Sequence, residues 1–200
     1  MNKRQQSAEN TKKKLIQAAL KLLKENGLNS INVEEITKEA GVAKGTFYVY
    51  FKRKEDIIAE YSRYPFKEIS DELKKMQNTN LIDKLTHYFY RFMQCVETPG
   101  INICREWIKA VIDPNNTQNS QDSEKWVYDF EMLKEILVNA IQNYELKPNT
   151  PVELLSHLII SQLYGMMTCW CMSDGKFEPL EWSNKFCELQ LKSILKEYLI

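Results

Sequence analysis

Apolar residues recur along this chain at helical spacing almost from end to end, and strict alternation is nearly absent. The first stripe is Leu15, Ala18, Ala19, Leu22 and Leu23, which predicts a helix over about residues 11–25, ended by a left-handed Gly27. Asn32 followed by Glu35 predicts a capping box, and Val33, Ile36 and Ala40 give the next, two-turn helix its buried side. Further on the helices lengthen. Breaks at residues 78–80, 98–100, 113–123, 147–149 and 173–176 leave segments near 54–76, 81–97, 101–112, 124–146, 151–172 and 179–199. The fold class expected is all-α, with about nine helices. Of the helix starts, the one at 151 is the most plainly marked, with Thr150 as cap, Pro151 in the first helical position and Glu153 completing a capping box.

Between the second and fourth predicted helices the pattern changes character. Residues 33–54 read V-E-E-I-T-K-E-A-G-V-A-K-G-T-F-Y-V-Y-F-K-R-K, a short helix that ends at Ala40, turns at Gly41 and restarts near Lys44. This is a helix-turn-helix pattern: Gly41 supplies the positive φ, Val42 plugs the corner, and Ile36, Ala40, Phe47 and Phe51 point inward. Lys44, Gly45, Thr46, Tyr48, Val49 and Tyr50 are left for the outside, followed by Lys52, Arg53 and Lys54. Such residues suit phosphates and base edges, and Gly45 lets backbone approach a sugar-phosphate chain closely. The competing reading makes the four aromatics at 47, 48, 50 and 51 plain core. Phe47 and Phe51 fit it, but burying Tyr48 and Lys44 as well would require an apolar environment on every side of one short helix.

The run A-G-V-A-K-G-T-F-Y-V-Y-F-K-R-K-E-D over residues 40–56 resembles the signature of TetR-family (tetracycline-repressor) transcriptional repressors, and the resemblance is specific over about residues 11–61. It implies an N-terminal basic helix-turn-helix, dimerisation through the last two helices, and a variable helical core that holds an effector. By motif position, Lys44, Thr46, Tyr48, Tyr50 and Lys54 inherit DNA-contacting roles, with Asn32 touching phosphate. Two positions depart from the pattern: Ala43 stands where a capping Ser or Thr is common, and Thr37 where a small Ala is usual. Loss of the cap costs about 1 kcal/mol, and Thr37 asks for slightly looser helix packing.

Charge supports the same division. The formal net charge is zero, yet residues 1–54 hold twelve Lys/Arg against five Asp/Glu, while 55–200 hold fifteen against twenty-two. The basic block is what a phosphate-backbone partner requires. The expected domains are therefore 1–54 for DNA binding and 55–200 for ligand binding and dimerisation. Five cysteines, odd in number and without C-x-x-C, follow an N-terminus with no apolar signal segment, which points to the cytoplasm. The most apolar stretch, 154–172, is interrupted by Ser156, His157, Ser161, Gln162 and Gly165, so no membrane span is expected. His87 and His157 lack neighbouring ligands, and Cys169 and Cys171 fall on different helix faces, so neither a metal site nor a cofactor is expected. The chain has no phosphate-binding glycine loop, nucleophile elbow or acid/base pair, which argues against an enzyme.

In the second domain, segment 151–172 is apolar around its whole circumference and must be covered all round. One face is assigned to a partner subunit, with Gly165 permitting close approach, and segment 179–199 supplies the second half of a homodimer interface. Tyr88, Trp107, Tyr128, Tyr164, Met167 and Trp170 are the candidate lining of an effector pocket, although such residues also serve as ordinary core. Pro65 either kinks its helix or ends it near Tyr64. The function expected is a ligand-responsive repressor that grips a palindromic double-stranded DNA operator as a homodimer and is released by a small, largely apolar effector. An activator or a constitutive binder would carry the same motif.

Overall fold

A computed structural model describes residues 3–26, 31–112 and 119–200. Nine helices and no strand are found among them. They are α1 (Lys3–Asn26), α2 (Val33–Ala40), α3 (Lys44–Tyr50), α4 (Asp56–Lys75), α5 (Leu81–Glu97), α6 (Ile101–Ile112), α7 (Asn119–Gln142), α8 (Val152–Met172) and α9. The last begins as Pro179–Phe186, passes through a π-helical turn over Cys187–Leu191, and closes with Lys192–Leu195. A single bridge between Leu146 and Leu199 ties the end of the chain to the loop after α7.

The N-terminal unit is α1 packed on α2 and α2 packed on α3. Leu15, Ala19 and Leu23 from the α1 stripe, Ile36 from α2, and Phe47 from α3 are all buried there. The helix starts eight residues before the predicted position 11, a stretch that the apolar stripe does not reach: Arg4 to Ala8 are exposed, and Thr11 Oγ1 donates to the Ser7 carbonyl at 2.9 Å. Periodicity cannot register turns that bury nothing. Gly27, expected to end α1, lies outside the described residues.

In the second unit α5 is the central post. Its Leu81, Leu85, Tyr88, Phe89, Phe92, Met93 and Val96 are buried, and α4, α6, α7, α8 and α9 all pack against it. Asn80 caps it by accepting from the Asp83 N–H at 2.9 Å, and α5 and α6 have the limits their spacing predicts. Two expectations are corrected. The α7 helix begins at Asn119 rather than 124, so its first turn and more lie within a stretch read as a break. Thr150 does not cap α8: its Oγ1 donates to the Lys147 carbonyl at 2.6 Å, closing the preceding turn, and Pro151 occupies the cap position without a side-chain bond. The helix α4 runs across position 65 to Lys75, so Pro65 does not terminate it.

Candidate nucleic-acid interface and sensor body

The helix-turn-helix is built from local bonds. Asn32 Oδ1 accepts from the Glu35 N–H at 3.0 Å while Glu35 Oε2 accepts from the Asn32 N–H at 2.9 Å, which completes the expected capping box. Gly41 adopts φ 68°, and its N–H donates to Lys38 and Thr37, so the chain leaves α2 through a left-handed residue. Thr37, only 3% exposed, satisfies its hydroxyl on the Val33 and Glu34 carbonyls at 3.0 and 3.1 Å. The larger residue is accommodated by bonding its own helix. Ala43 stands at the start of α3 with no side-chain cap, as its residue type requires.

Phe47 and Phe51 fix the angle of α3, with ring centroids 5.5 Å apart and Phe47 wholly buried. The opposite side is presented to solvent: Lys44, Gly45, Tyr48 and Val49 are exposed, and Thr46 and Tyr50 are half-buried. Val49, at 77% the most exposed apolar side chain of α3, lies outside as its place in the motif predicts. Nothing stands within 4 Å of where a Cβ on Gly45 would lie, so no internal contact of the described residues demands glycine there.

The cations of the motif are held in place by neighbours. Lys44 pairs with Glu34, whose carboxyl lies below its usual value because of the hydrogen bond from Lys44 and then its charge. The same bond raises the Lys44 ammonium. Lys54 Nζ donates to the Ile31 carbonyl at 2.9 Å, which places it beside the exposed Asn32 at the head of α2. Asp56 Oδ2 accepts from the Lys52 and Arg53 N–H groups at 2.9 Å each and fixes the turn between α3 and α4. Lys44, Gly45, Thr46 and Tyr48 are thus gathered on one exposed face, with Asn32 and Lys54 along its edge.

Among the described residues, α1 meets the body at α4 and α6. Lys12 of α1 pairs with Glu60 of α4 at 2.6 Å, and the start of α6 packs on the end of α1, where Lys24 Cγ stands 4.0 Å from the Cβ position of Gly100.

The six candidate effector residues divide. Tyr88, Trp107 and Tyr164 meet with Phe92 in one aromatic cluster: Tyr164 lies 5.7 Å from both Phe92 and Trp107, and Tyr88 lies 6.1 Å from Phe92. Met167, one turn on from Tyr164, is buried on α8, as is Trp170. Tyr128 is exposed on α7 and lines a surface groove with Ser70 and Lys74 of α4. The cluster also holds a residue the sequence reading missed, Asp129, wholly buried and accepting from Tyr164 Oη at 2.8 Å. Burial and then the Asp129 charge push the Tyr164 phenol up, and burial does the same to Tyr88. The available signal was a carboxylate inside the aromatic run W-V-Y-D-F of α7.

On α8 the circumference is only partly covered. Leu155, Ile159, Ile160, Leu163, Met167 and Trp170 are buried, while Leu154, His157, Leu158, Ser161, Gln162, Gly165, Cys169 and Met172 form an exposed stripe. Next to it α9 exposes Trp182 and Leu189 but turns Phe186 inward, stacked on Phe89 at 5.1 Å.

A capped, left-handed turn between two short helices, with a polar face left exposed on the second, is the helix-turn-helix arrangement. Residues 15–61 match the model of the tetR family of bacterial regulatory proteins. Over 90% of its length it is 28% identical to the fatty acid metabolism regulator protein of Bacillus subtilis, covering 93% of that protein. Its fold matches the regulator FadR of Bacillus subtilis in complex with stearoyl-CoA, with a TM-score of 0.70 and 26% identity over 88% of this chain and 95% of that one. The fatty acid degradation regulator FadR of Bacillus halodurans shares the fold at a TM-score of 0.69, with 21% identity over 89% and 98%. Among the described residues no helix is long and apolar enough to cross a membrane, and no group of three or more His, Cys, Asp or Glu could hold a metal.

Proposed function

We propose that this chain represses transcription by binding a pseudo-palindromic operator as a homodimer, and that a long-chain acyl-CoA releases it. The observation that carries the reading is the α3 face, where Lys44, Gly45, Thr46, Tyr48 and Val49 project from a helix whose other side is locked by Phe47 and Phe51. Lys44 exchanges the Glu34 carboxylate for a backbone phosphate, Thr46 and the Tyr hydroxyls reach phosphate or base edges, and Val49 offers an apolar surface to a thymine methyl. Asn32 and Lys54 add backbone contacts at the edge, and the operator places the protein in the cytoplasm.

The partner for the stripe on α8 and the exposed side of α9 is a second copy of this chain. A two-fold interface uses one surface twice and sets two recognition helices about 34 Å apart, one turn of duplex. The effector reading rests on likeness to the regulator crystallised with stearoyl-CoA and on the cluster of Tyr88, Trp107, Tyr164 and Met167, apolar with a few hydroxyls. Tyr128 lines the surface groove between α4 and α7, and Trp170 extends the apolar wall along α8. An acyl chain entering there shifts α4 and α6, the elements that touch α1.

Selection from a random duplex library, followed by titration with and without stearoyl-CoA, tests both parts. A two-fold site, bound with steep salt dependence and released by stearoyl-CoA, is the expected result. Failure of any duplex to be enriched removes the operator reading. Enrichment with affinity indifferent to stearoyl-CoA removes the effector class alone, and affinity raised by it favours an effector-dependent DNA binder.

A further inference from the structure

One hydroxyl of the aromatic cluster is not accounted for by the fold. Tyr88 is wholly buried on α5, and its Oη has no hydrogen-bond partner among the described residues. Ser156 and Ser183 are buried too, but a serine can turn its hydroxyl onto a carbonyl of its own helix. The ring of Tyr88 holds its oxygen too far from the backbone for that. An unmet donor in the core costs stability, so a position that needed only bulk would be better served by phenylalanine.

The residues around Tyr88 divide the polar work. Its ring lies 6.1 Å from Phe92, Phe92 lies 5.7 Å from Tyr164, and Tyr164 lies 5.7 Å from Trp107, so rings from α5, α6 and α8 meet in one place. Tyr164 commits its single O–H to Asp129 Oδ2 of α7 at 2.8 Å. Burial and then the Asp129 charge push both phenols up, so Tyr88 and Tyr164 stay protonated at neutral pH. An entering molecule therefore meets apolar rings, a buried carboxylate and one uncommitted donor, the Tyr88 O–H. The complement of that donor is an oxygen acceptor without negative charge. A carbonyl qualifies, whereas a ligand carboxylate would face the Asp129 charge in a medium that screens it little.

We propose that Tyr88 Oη donates a hydrogen bond to the thioester carbonyl of a long-chain acyl-CoA, and that Asp129, held by Tyr164, turns away the free fatty acid. The proposal deepens the effector reading above and rests on it. The acyl chain lies along the rings, and Tyr88 marks where its polar end stops. Entry is from the surface groove of about 430 Å³ between α4 and α7, which Tyr128 and Met132 line. Tyr128 is the neighbour of Asp129 in the chain, and Met132 stands one turn on from Asp129 along the same side of α7. Met132 is 7% exposed, and its unbranched side chain can move aside at little cost.

The full-length protein is titrated by calorimetry with stearoyl-CoA, with its S-octadecyl thioether analogue, in which a CH2 replaces the carbonyl, and with stearate. The unaltered chain should bind stearoyl-CoA about 10-fold more tightly than the thioether, the difference one buried hydrogen bond makes, and stearate more weakly than either. Tyr88→Phe removes one oxygen and keeps the ring, and it should lose the preference by weakening stearoyl-CoA alone. Without ligand, its thermal midpoint should be no lower than that of the unaltered chain. A fall of about 2–4 °C means that the hydroxyl is already bonded within the fold, and overturns the proposal. Equal affinity of the unaltered chain for thioester and thioether needs no variant and overturns the role of Tyr88, as does a preference retained in Tyr88→Phe; both leave the effector class standing. Stearate bound more tightly than stearoyl-CoA assigns the cluster to a carboxylate and also overturns the proposal. Binding of neither CoA compound defeats the effector reading and this inference together.

Discussion

The helix-turn-helix and the α8–α9 surface both expose residues, but for opposite physical reasons. On α3 the outward side is polar and cationic around Tyr48 and Val49, while the inward side is closed by Phe47, Phe51 and Ile36. Its own unit is complete, and what remains outside suits water or a phosphate chain. On α8 the outward side includes Leu154, Leu158, Gly165 and Met172, flanked by Trp182 and Leu189 of α9, and water is a poor partner for it. Under the proposed function, exposure in the first region serves a charged ligand and exposure in the second a second copy of the chain.

Removing the lock beneath the first region should have the largest effect. Phe47→Ala takes away a wholly buried ring and should cost the N-terminal unit about 3–5 kcal/mol. Circular dichroism melts should show that unit lost ahead of a body that still dimerises; one coincident transition with lost dimerisation would mean the regions are not separable.

Gly165→Trp tests the second region at its centre. Among the described residues nothing outside its own stretch of helix stands within 4 Å of a Cβ there, so the isolated fold tolerates a side chain. Overpacking against a second copy should weaken dimerisation about 10–100-fold, matching roughly 1–3 kcal/mol. Sedimentation equilibrium reads this directly, and an unaffected dimer would move the interface off the stripe. Gly165→Ala sharpens the result, because on a free helix face it should stabilise by about 1 kcal/mol.

A smaller gain is expected at the uncapped start of α3. Ala43→Ser supplies the missing acceptor and should stabilise the N-terminal unit by about 1 kcal/mol, with tighter operator binding and no change in dimerisation. An unchanged unfolding midpoint would show that the α3 start is already satisfied by solvent.

The smallest effect concerns the clamp between α4 and α5, where Glu72 accepts from Arg91 Nε and Nη2 at 2.8 and 2.9 Å and contacts His87 Nε2 at 2.9 Å. Burial alone would raise the Glu72 carboxyl, but the bonds from Arg91 and His87 outweigh it and hold it below its usual value of 4.5. A depressed carboxylate contributes stability above its unfolded pKa and loses it as pH falls through the folded one. With solvent screening the contribution is about a few tenths of a kcal/mol. Urea midpoints measured from about pH 5 to pH 3 should therefore fall less steeply in Glu72→Gln, and parallel curves would remove the clamp from the acid response.

The parts of this molecule written in neighbouring residues were legible from sequence. The Asn32–Glu35 box, the left-handed Gly41, the inward Phe47 and Phe51, and the limits of α5 and α6 each follow from interactions within a few residues. Misreadings arose where a local signal competed with another local partner or had no apolar marker. Thr150 looked like a cap and bonded backward to Lys147, and the solvated start of α1 left no stripe.

The sequence by itself determined the all-α class, the basic N-terminal motif and the apolar excess of α8, because helix periodicity, capping and composition are properties of short stretches of chain. Only the tertiary structure decided that Asp129 would be buried under Tyr164 and that Phe186 would turn in to stack on Phe89 while Trp182 stayed out. These contacts join residues from different helices. Their geometry depends on how the helices cross and which side chains fill the space between them, and no interval along the chain encodes that distance.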